Sequence, residues 1–164
     1  MEPPAIVRDF ALALGLPADS SLEAVIRGFE AAISFNRVLG LQFVAITSEL
    51  AVVEFAMRDE LIGHPQRRTL HGGVISASLD TVGGIAAMAA LIERAATAAE
   101  VMGPLERFGT IDLRIDYLRP GTGERFRATA HPLRLGRTVA VTRMELADDD
   151  GSTVAVGTGT YIVG

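Results

Sequence analysis

A long apolar segment near the middle of the chain, from Val74 to Ile92, limits the folds that this sequence can adopt. It is rich in alanine and is interrupted by one acid, Asp80, and by the adjacent glycines Gly83 and Gly84. Its longest run without a polar residue has 11 residues, whereas a helix that spans a bilayer needs about 20. We therefore predict a buried core helix over about Gly72 to Ala96, and no membrane span.

The composition excludes several classes of protein. The length of 164 residues suits one domain, and a chain that is 49% hydrophobic and 21% charged can bury a core. The absence of cysteine excludes disulfide scaffolds, thiolate nucleophiles and cysteine zinc sites. A net charge of −5 argues against a nucleic-acid-binding surface. Since no basic segment precedes the first apolar residues, we expect a soluble, cytoplasmic domain without a secretory signal.

Capping signals and turn residues divide the first third of the chain. One helix is expected over Ala5 to Leu14, and a second after Ser20, which forms a capping box with Glu23 three positions later. Two β-rich runs, 41–47 and 50–57, then predict a hairpin. This part of the chain is therefore expected to be helical first and then extended.

The remainder is expected to be a loop, the central helix and a series of strands. Arg58 to Leu70 is polar and predicts the loop, whereas Thr110 to Leu118 alternates as a β-strand does. Its apolar face is predicted to comprise Ile111, Leu113, Ile115 and Tyr117. Three further strands are predicted near 124–133, 138–146 and 153–163. This order implies an α+β fold in which an antiparallel β-sheet wraps around a long central α-helix.

The central helix is predicted to begin directly after His71, with Gly72 and Gly73 in its first turn. A helix N-terminus presents unpaired N–H groups and the positive end of the helix dipole, which suit an oxyanion or a polarised carbonyl oxygen. Glycine allows a substrate to come close to the backbone because it has no Cβ. The alternative is an ordinary turn between a strand and a helix.

Asp80 is the only acid between Gly72 and Ile92, and its neighbours are apolar. Ionised carboxylates are rarely buried unless another group compensates their charge. Asp80 could instead lie on a solvated polar stripe with Ser76 and Thr81, but no charged face exists there for it to join. We therefore favour a functional carboxylate.

Gly72 and Asp80 are eight residues apart, which is about 12 Å along a helix. A base or nucleophile must come within about 3.5 Å of the atom that it attacks, while the oxyanion donor contacts the same carbonyl group. One copy of the helix cannot supply both groups. Two antiparallel helices related by a two-fold axis could, which predicts an active site shared between the subunits of a dimer.

The sequence LHGGVISASLDTVGG, from Leu70 to Gly84, resembles the HGG-x6-D signature of hotdog-fold acyl-CoA thioesterases of the PaaI type. The likeness extends to GTIDLRIDYLRPG, from Gly109 to Gly121, and to the segment from Leu135 to Tyr161. It implies a hotdog domain over 35–164, preceded by a helical segment over 1–34.

The resemblance also implies a role for each matching residue. The Gly72 amide would be the oxyanion donor, and His71 would shape the start of the helix. Asp80 would act as the general base on water or as the nucleophile, which the sequence does not distinguish. The Thr110 hydroxyl would help to hold the acid or the water, unless Thr110 is an ordinary β-branched strand residue.

The chain departs from the family pattern in the loop before the signature, where His64 stands in place of a frequent asparagine. Histidine and asparagine both donate hydrogen bonds, so His64 either orients water or carbonyl, or is simply a loop residue. The resemblance further places Gly73, Arg119, Gly136 and Arg137 near the coenzyme A. It implies no metal and no cofactor apart from coenzyme A as part of the substrate.

The leading hypothesis is the hydrolysis of an acyl-CoA thioester by a homodimer with shared active sites, with a tetramer left open. A hotdog hydratase or dehydratase, and a non-catalytic acyl-CoA-binding protein, are the alternatives. We expect neither nucleic acid nor membrane as a partner. The length of the acyl chain stays open because Met88, Met102 and Phe108 could line a pocket or belong to the core.

Overall fold

The N-terminal part of the protein is helical. The computed structural model describes residues 3–13, 15–97 and 99–164, with helices α1 (Ala5–Ala13), α2 (Leu22–Ala32) and α3 (Ser34–Leu39). The predicted end of the first helix at Leu14 lies outside the described residues. Helix α3 was not predicted from the sequence; it is shorter than two turns and carries no capping side chain.

The cap of α2 differs from the prediction by one residue. Ser21, not Ser20, caps the helix, because its Oγ accepts a hydrogen bond from the Ala24 N–H at 3.1 Å. Ala24 is the third residue of α2, which is the position that an N-cap hydroxyl reaches. The capping box centred on Ser20 is therefore wrong.

The central helix, α4 (Gly72–Arg94), is the buried element around which the sheet curves. It is long and apolar enough to cross a membrane by composition, but 72% of its most apolar stretch is buried inside the fold. Its buried side chains belong mainly to one hydrophobic core shared with the strands. The prediction of a core helix is therefore confirmed, with its end at Arg94 rather than near Ala96.

A six-stranded antiparallel sheet wraps around α4. Its strands are β1 (Gln42–Ile46), β2 (Ala51–Ala56), β5 (Gly109–Tyr117), β6 (Arg125–Leu135), β7 (Val139–Asp148) and β8 (Thr153–Ile162). They lie in the order β1-β2-β6-β7-β8-β5, so the strand latest in sequence fits between β7 and β5. This is the α+β hotdog architecture that the resemblance implied.

Two connecting segments are more regular than predicted. The expected loop of residues 58–70 contains a two-stranded sheet of β3 (Ile62–His64) and β4 (Thr69–Leu70), because Ile62 pairs with Leu70 across a short turn. A further helix, α5 (Ala99–Glu106), connects α4 to β5. The predicted loop is therefore wrong in part, since its backbone groups pair with each other.

The edge strand β5 contains a bulge that the alternating pattern did not predict. Thr110 pairs with Tyr161 and Asp112 pairs with Thr160, so Ile111 is an extra residue on β5. Such a bulge reverses the side-chain alternation. Leu113 consequently faces the core while Ile111 is 53% exposed. The prediction of one continuous apolar face through Ile111 is wrong for this reason.

The helical N-terminal segment packs against the same core as the sheet. Phe10 of α1 and Val25 and Ile26 of α2 are fully buried in that core. The division of the chain at residue 34 stays a prediction about its organisation.

The adjacent glycines of α4 meet different neighbours. A Cβ at Gly83 would collide with the Tyr161 hydroxyl and the Met144 sulfur, whereas a Cβ at Gly84 would meet nothing closer than 3.6 Å. Gly83 therefore allows the side chains of the sheet to come against the helix backbone.

We expect Gly83→Ala to lower the free energy of unfolding by about 1–3 kcal/mol, because the added methyl group overpacks a closed contact. Gly103→Ala is the matched control, since a Cβ at Gly103 would meet no atom within 4 Å. Urea denaturation of both variants measures the difference. Equal stability of the two variants would contradict the close approach of Tyr161 to α4.

Candidate active site

The first turn of α4 is capped by His71. The His71 Nδ1 accepts a hydrogen bond from the Gly73 N–H at 2.8 Å, and the His71 backbone is extended, as an N-cap requires. The Val74 and Ile75 N–H groups both reach the His71 carbonyl oxygen, at 2.9 and 3.2 Å. Three of the four N–H groups that begin the helix are thereby satisfied.

The remaining N–H group belongs to Gly72. Across the residues that the structure describes, it has no hydrogen-bond acceptor. The backbone around it is fixed, because the His71 N–H donates to the Leu61 carbonyl at 2.8 Å and the Tyr117 hydroxyl donates to the Gly72 carbonyl at 3.2 Å. A held N–H donor at the positive end of a helix dipole is suited to bind a carbonyl oxygen or an oxyanion.

Asp80 lies two turns further along α4, with its carboxylate hydrogen-bonded. The Thr110 hydroxyl donates to Asp80 Oδ1 at 2.8 Å. The bulge at Ile111 brings Thr110 to the helix side of β5, together with Leu113 three positions later. Thr110 thereby orients the carboxylate through one of its two oxygens.

Tyr161 of β8 holds the backbone at the same residue. Its hydroxyl donates to the Asp80 carbonyl oxygen at 3.1 Å, and its ring lies 6.0 Å from that of Phe108 at an angle of 8°. Burial raises the pKa of the Tyr161 phenol, and the negative charge of the nearby Asp80 adds to this rise. The phenol therefore stays protonated and serves as a hydrogen-bond donor.

Asp80 borders an apolar cavity of about 300 Å³. Helix α4 contributes Thr81, Gly84 and Met88 to its wall. The rest of the lining comes from α3 with the residue before it, from α5 and the segment after it, from the start of β5 and from β8, namely Ile33, Phe35, Asn36, Leu105, Phe108, Gly109, Thr110 and Tyr161. An apolar cavity with one carboxylate at its wall is a typical small-molecule site.

A second cavity, of about 620 Å³, lies at the start of α4. His71 and Gly73 line it, together with Arg58 and residues of α3 that include Arg37. Phe35 lines both cavities and therefore lies between them. Asp80 thus lines the smaller cavity, whereas the two neighbours of Gly72, His71 and Gly73, line the larger one. Gly72 and Asp80 lie about 12 Å apart along the helix.

The remaining residues singled out in the sequence lie outside these two cavities. His64 is exposed at the end of β3, and Arg119 is exposed just after β5. Gly136 lies at the opposite end of α4, where its carbonyl accepts a hydrogen bond from Arg94 at 2.7 Å, and Arg137 follows it. That end is about 33 Å from Gly72 along the axis. The fold does not bring Gly136 and Arg137 to the Gly72 amide within one chain.

Three residues of the site were not predicted from the sequence, namely Tyr161, Phe35 and Asn36. Tyr161 is one of only two tyrosines, and the other residues of its strand are mostly small. This contrast was the only sequence signal that could have pointed to Tyr161 as part of the site. Phe35 and Asn36 lie on α3, which was not predicted. Within the described part of the chain, no group of three or more histidine, aspartate and glutamate residues could hold a metal ion.

Comparisons with known proteins agree on one family. Residues 68–155 match the model of the thioesterase superfamily. The chain is 40% identical to the medium/long-chain acyl-CoA thioesterase YigI of Escherichia coli over 91% of this chain and 97% of that protein. It is 31% identical to human acyl-coenzyme A thioesterase 13, over 88% and 95% of the two chains.

Solved structures show the same relationship. A crystal structure from Shewanella oneidensis, of a protein related to the thioesterase superfamily, superposes with a TM-score of 0.82 and 41% identity. The match covers 87% of this chain and 95% of the other. The similarity therefore includes the helical N-terminal segment in part as well as the sheet and α4.

We expect the free energy of unfolding to fall as the pH rises above about 10, by up to about 1.4 kcal/mol per pH unit. The unfolded chain loses the Tyr161 proton there, whereas the folded chain keeps it because the pKa of Tyr161 is raised. The stability due to this group is thus complete below pH 10.

The Tyr117→Phe variant leaves Tyr161 as the only tyrosine, so its phenolate absorbance can be followed alone. The absorbance is expected to appear only as the chain unfolds, which far-ultraviolet circular dichroism reports in parallel. The Tyr161→Phe variant provides the matched control. A reversible phenolate signal near pH 10 in the folded Tyr117→Phe variant would show that Tyr161 is open to solvent.

Proposed function

The chain belongs to the thioesterase superfamily and is a thioesterase; we propose that its substrate is an acyl-CoA thioester, hydrolysed at a site that two protomers complete. The observation that carries this proposal is the pair of polar centres on α4, the Gly72 amide, which has no acceptor among the described residues, and the Asp80 carboxylate held by Thr110. The activity of the relative from Escherichia coli, a medium/long-chain acyl-CoA thioesterase, supports the same substrate class.

In the proposed reaction, the thioester carbonyl oxygen accepts a hydrogen bond from the Gly72 N–H. The amide stabilises the negative charge that forms on this oxygen as the carbonyl carbon becomes tetrahedral. His71 contributes by accepting the hydrogen bond of the Gly73 N–H, which fixes the turn next to the Gly72 amide. Loss of such a donor costs about two to three powers of ten in turnover.

Asp80 activates the attacking group. As a general base it takes a proton from water while the water oxygen bonds to the carbonyl carbon; the C–S bond then breaks and the coenzyme A sulfur takes a proton. As a nucleophile, its carboxylate would attack the carbonyl carbon and expel the coenzyme A thiolate, which takes a proton, and water would then hydrolyse the resulting anhydride. Thr110 positions the carboxylate in either route. Neither route needs a cofactor apart from the coenzyme A of the substrate.

The distance between the two centres supports a shared site. The Gly72 amide and Asp80 are about 12 Å apart along α4, too far to act on one carbonyl group from the same chain. The edge strand β5 exposes Ile111, Tyr117 and the following Leu118, each by more than half. Pairing of two β5 edges about a two-fold axis would cover these side chains and would place the two α4 helices antiparallel.

The assignments for His64 and the coenzyme are part of the proposal. The exposed His64 lies at the end of β3, in the segment that leads to His71. It either orients the carbonyl group or the water of the completed site or has no role. Arg119 and Gly73 lie at the Gly72 end of α4, where they could contact the near part of the coenzyme. Gly136 and Arg137, at the other end of α4, are proposed to contact its distant part.

We expect Asp80→Asn to lower turnover of acyl-CoA by about two to four powers of ten, because the amide cannot accept the proton. Thiol release from a panel of acyl-CoAs, followed with a thiol reagent, measures the loss. Glu93→Gln, an exposed acid on the same helix, is the matched control and should keep wild-type turnover. Binding of acyl-CoA by the wild type without thiol release would favour a non-catalytic binding protein.

The Gly72→Pro variant tests the oxyanion donor, because it removes the Gly72 N–H and little else. Proline is favoured at the first position of a helix, and the extended backbone of His71 is compatible with a following proline. A Cβ at Gly72 would meet Tyr117 at 3.5 Å, an ordinary contact. Turnover is expected to fall by about two to three powers of ten while the fold is kept.

Mixed dimers test whether the site is shared. A dimer of one Asp80→Asn and one Gly72→Pro protomer has one site with both defects and one intact site, so it should regain about half of the wild-type turnover. Purification through two different tags isolates these dimers. Turnover no higher than that of the separate variants would contradict the shared site.

A further inference from the structure

The second of the two adjacent glycines on α4 has no role in packing. Gly83 is needed for the contact with Tyr161, as described above. Gly84 is buried, yet a Cβ there would meet its nearest atoms, in the rings of Phe108 and Tyr161, at 3.6 Å. Helix glycine costs about 1 kcal/mol relative to alanine. Packing alone would therefore favour alanine at position 84.

Gly84 faces the apolar cavity beside Asp80. Asp80, Gly84 and Met88 are spaced by four residues, which places them on one face of α4 in successive turns. All three line the cavity. Gly84 lies about 6 Å, and Met88 about 12 Å, beyond Asp80 along the helix axis. Because Gly84 has no side chain, the helix backbone forms the cavity wall between the carboxylate and Met88, and the nearest atoms opposite belong to the rings of Phe108 and Tyr161.

The proposed reaction determines which part of the substrate enters this cavity. The carbonyl carbon must lie within reach of Asp80, and it carries two substituents. Coenzyme A is large and charged, so burying it in an apolar cavity of about 300 Å³ would be costly. The acyl chain is apolar, and its burial is favourable by about 0.8 kcal/mol per methylene. The acyl chain therefore occupies the cavity.

We propose that Gly84 determines the length of acyl chain that the enzyme accepts, by leaving the cavity open along α4 as far as Met88. An extended chain advances about 1.2 Å per bond, as a polypeptide backbone does. Butanoyl chains would end before Gly84, octanoyl chains would pass it, and dodecanoyl and longer chains would pass Met88. This inference rests on the proposed thioesterase function and specifies straight-chain medium and long acyl-CoAs as its substrates.

The test compares kcat/KM for butanoyl-, octanoyl-, dodecanoyl- and hexadecanoyl-CoA in the wild type and in Gly84→Val. The branched side chain would fill the cavity next to Gly84, so kcat/KM for dodecanoyl- and hexadecanoyl-CoA is expected to fall by at least about tenfold. The value for butanoyl-CoA is expected to change by less than about threefold. Gly103→Val is the matched control, since Gly103 lies in open space on α5.

Two further variants keep the inference testable if Gly84→Val does not fold. Gly84→Ala adds one methyl group at an ordinary contact distance and should shift the preference in the same direction, by about threefold. Phe108→Ala removes the opposite wall and should raise the ratio of kcat/KM for hexadecanoyl-CoA over octanoyl-CoA. If these residues had a merely structural role, each variant would lower kcat/KM for all four substrates by the same factor.

The outcomes separate this inference from the proposed function. If the wild type releases no thiol from any acyl-CoA, the proposed acyl-CoA hydrolysis fails and the inference fails with it. If the wild type hydrolyses acyl-CoAs but the ratios among the four substrates are the same in Gly84→Val, Gly84→Ala and Phe108→Ala, only the role of Gly84 is overturned.

Discussion

The contact between α4 and the concave face of the sheet organises the rest of the molecule. Gly83 of α4 has no side chain at this contact, so the helix backbone comes close enough for a side chain of β8 to hydrogen-bond with it. The Tyr161 hydroxyl makes this bond at the carbonyl of Asp80. The same close packing that stabilises the core thus fixes the backbone of the candidate catalytic acid.

At the start of α4, the fold leaves one backbone N–H group, that of Gly72, without a hydrogen-bond acceptor among the described residues. Burying an unsatisfied N–H costs free energy, and the cap formed by His71 removes that cost for three of the four first N–H groups. The Gly72 amide is held in place by bonds on either side but has no acceptor of its own among the described residues. In the proposed reaction, the carbonyl oxygen of the substrate would accept a hydrogen bond from the Gly72 N–H, and this bond would contribute to the affinity for the substrate.

Much of this architecture was predictable from hydrophobic spacing, because a buried alanine-rich helix and an antiparallel meander leave periodic patterns. Asp80 could also be singled out as a candidate from the sequence, because an ionised carboxylate among apolar residues requires a compensating group. The bulge at Ile111 was not, because the sequence alternates through it and only pairing with β8 reveals the extra residue. Helix α3 lacks a capping side chain, so Phe35 and Asn36 carried no signal.

The order of strands has a consequence for when the site can exist. Strand β8 lies between β7 and β5 although it follows both in sequence, so β5 has no partner in the sheet until β8 is inserted. Thr110 reaches Asp80 from β5, and Tyr161 reaches it from β8 itself. During synthesis, which proceeds from the N-terminus, a chain that has already buried α4 against β6 and β7 still lacks both contacts. The contact from Tyr161 therefore cannot form before the last strand has been synthesised, and the strand that carries Thr110 has no partner within the sheet until then.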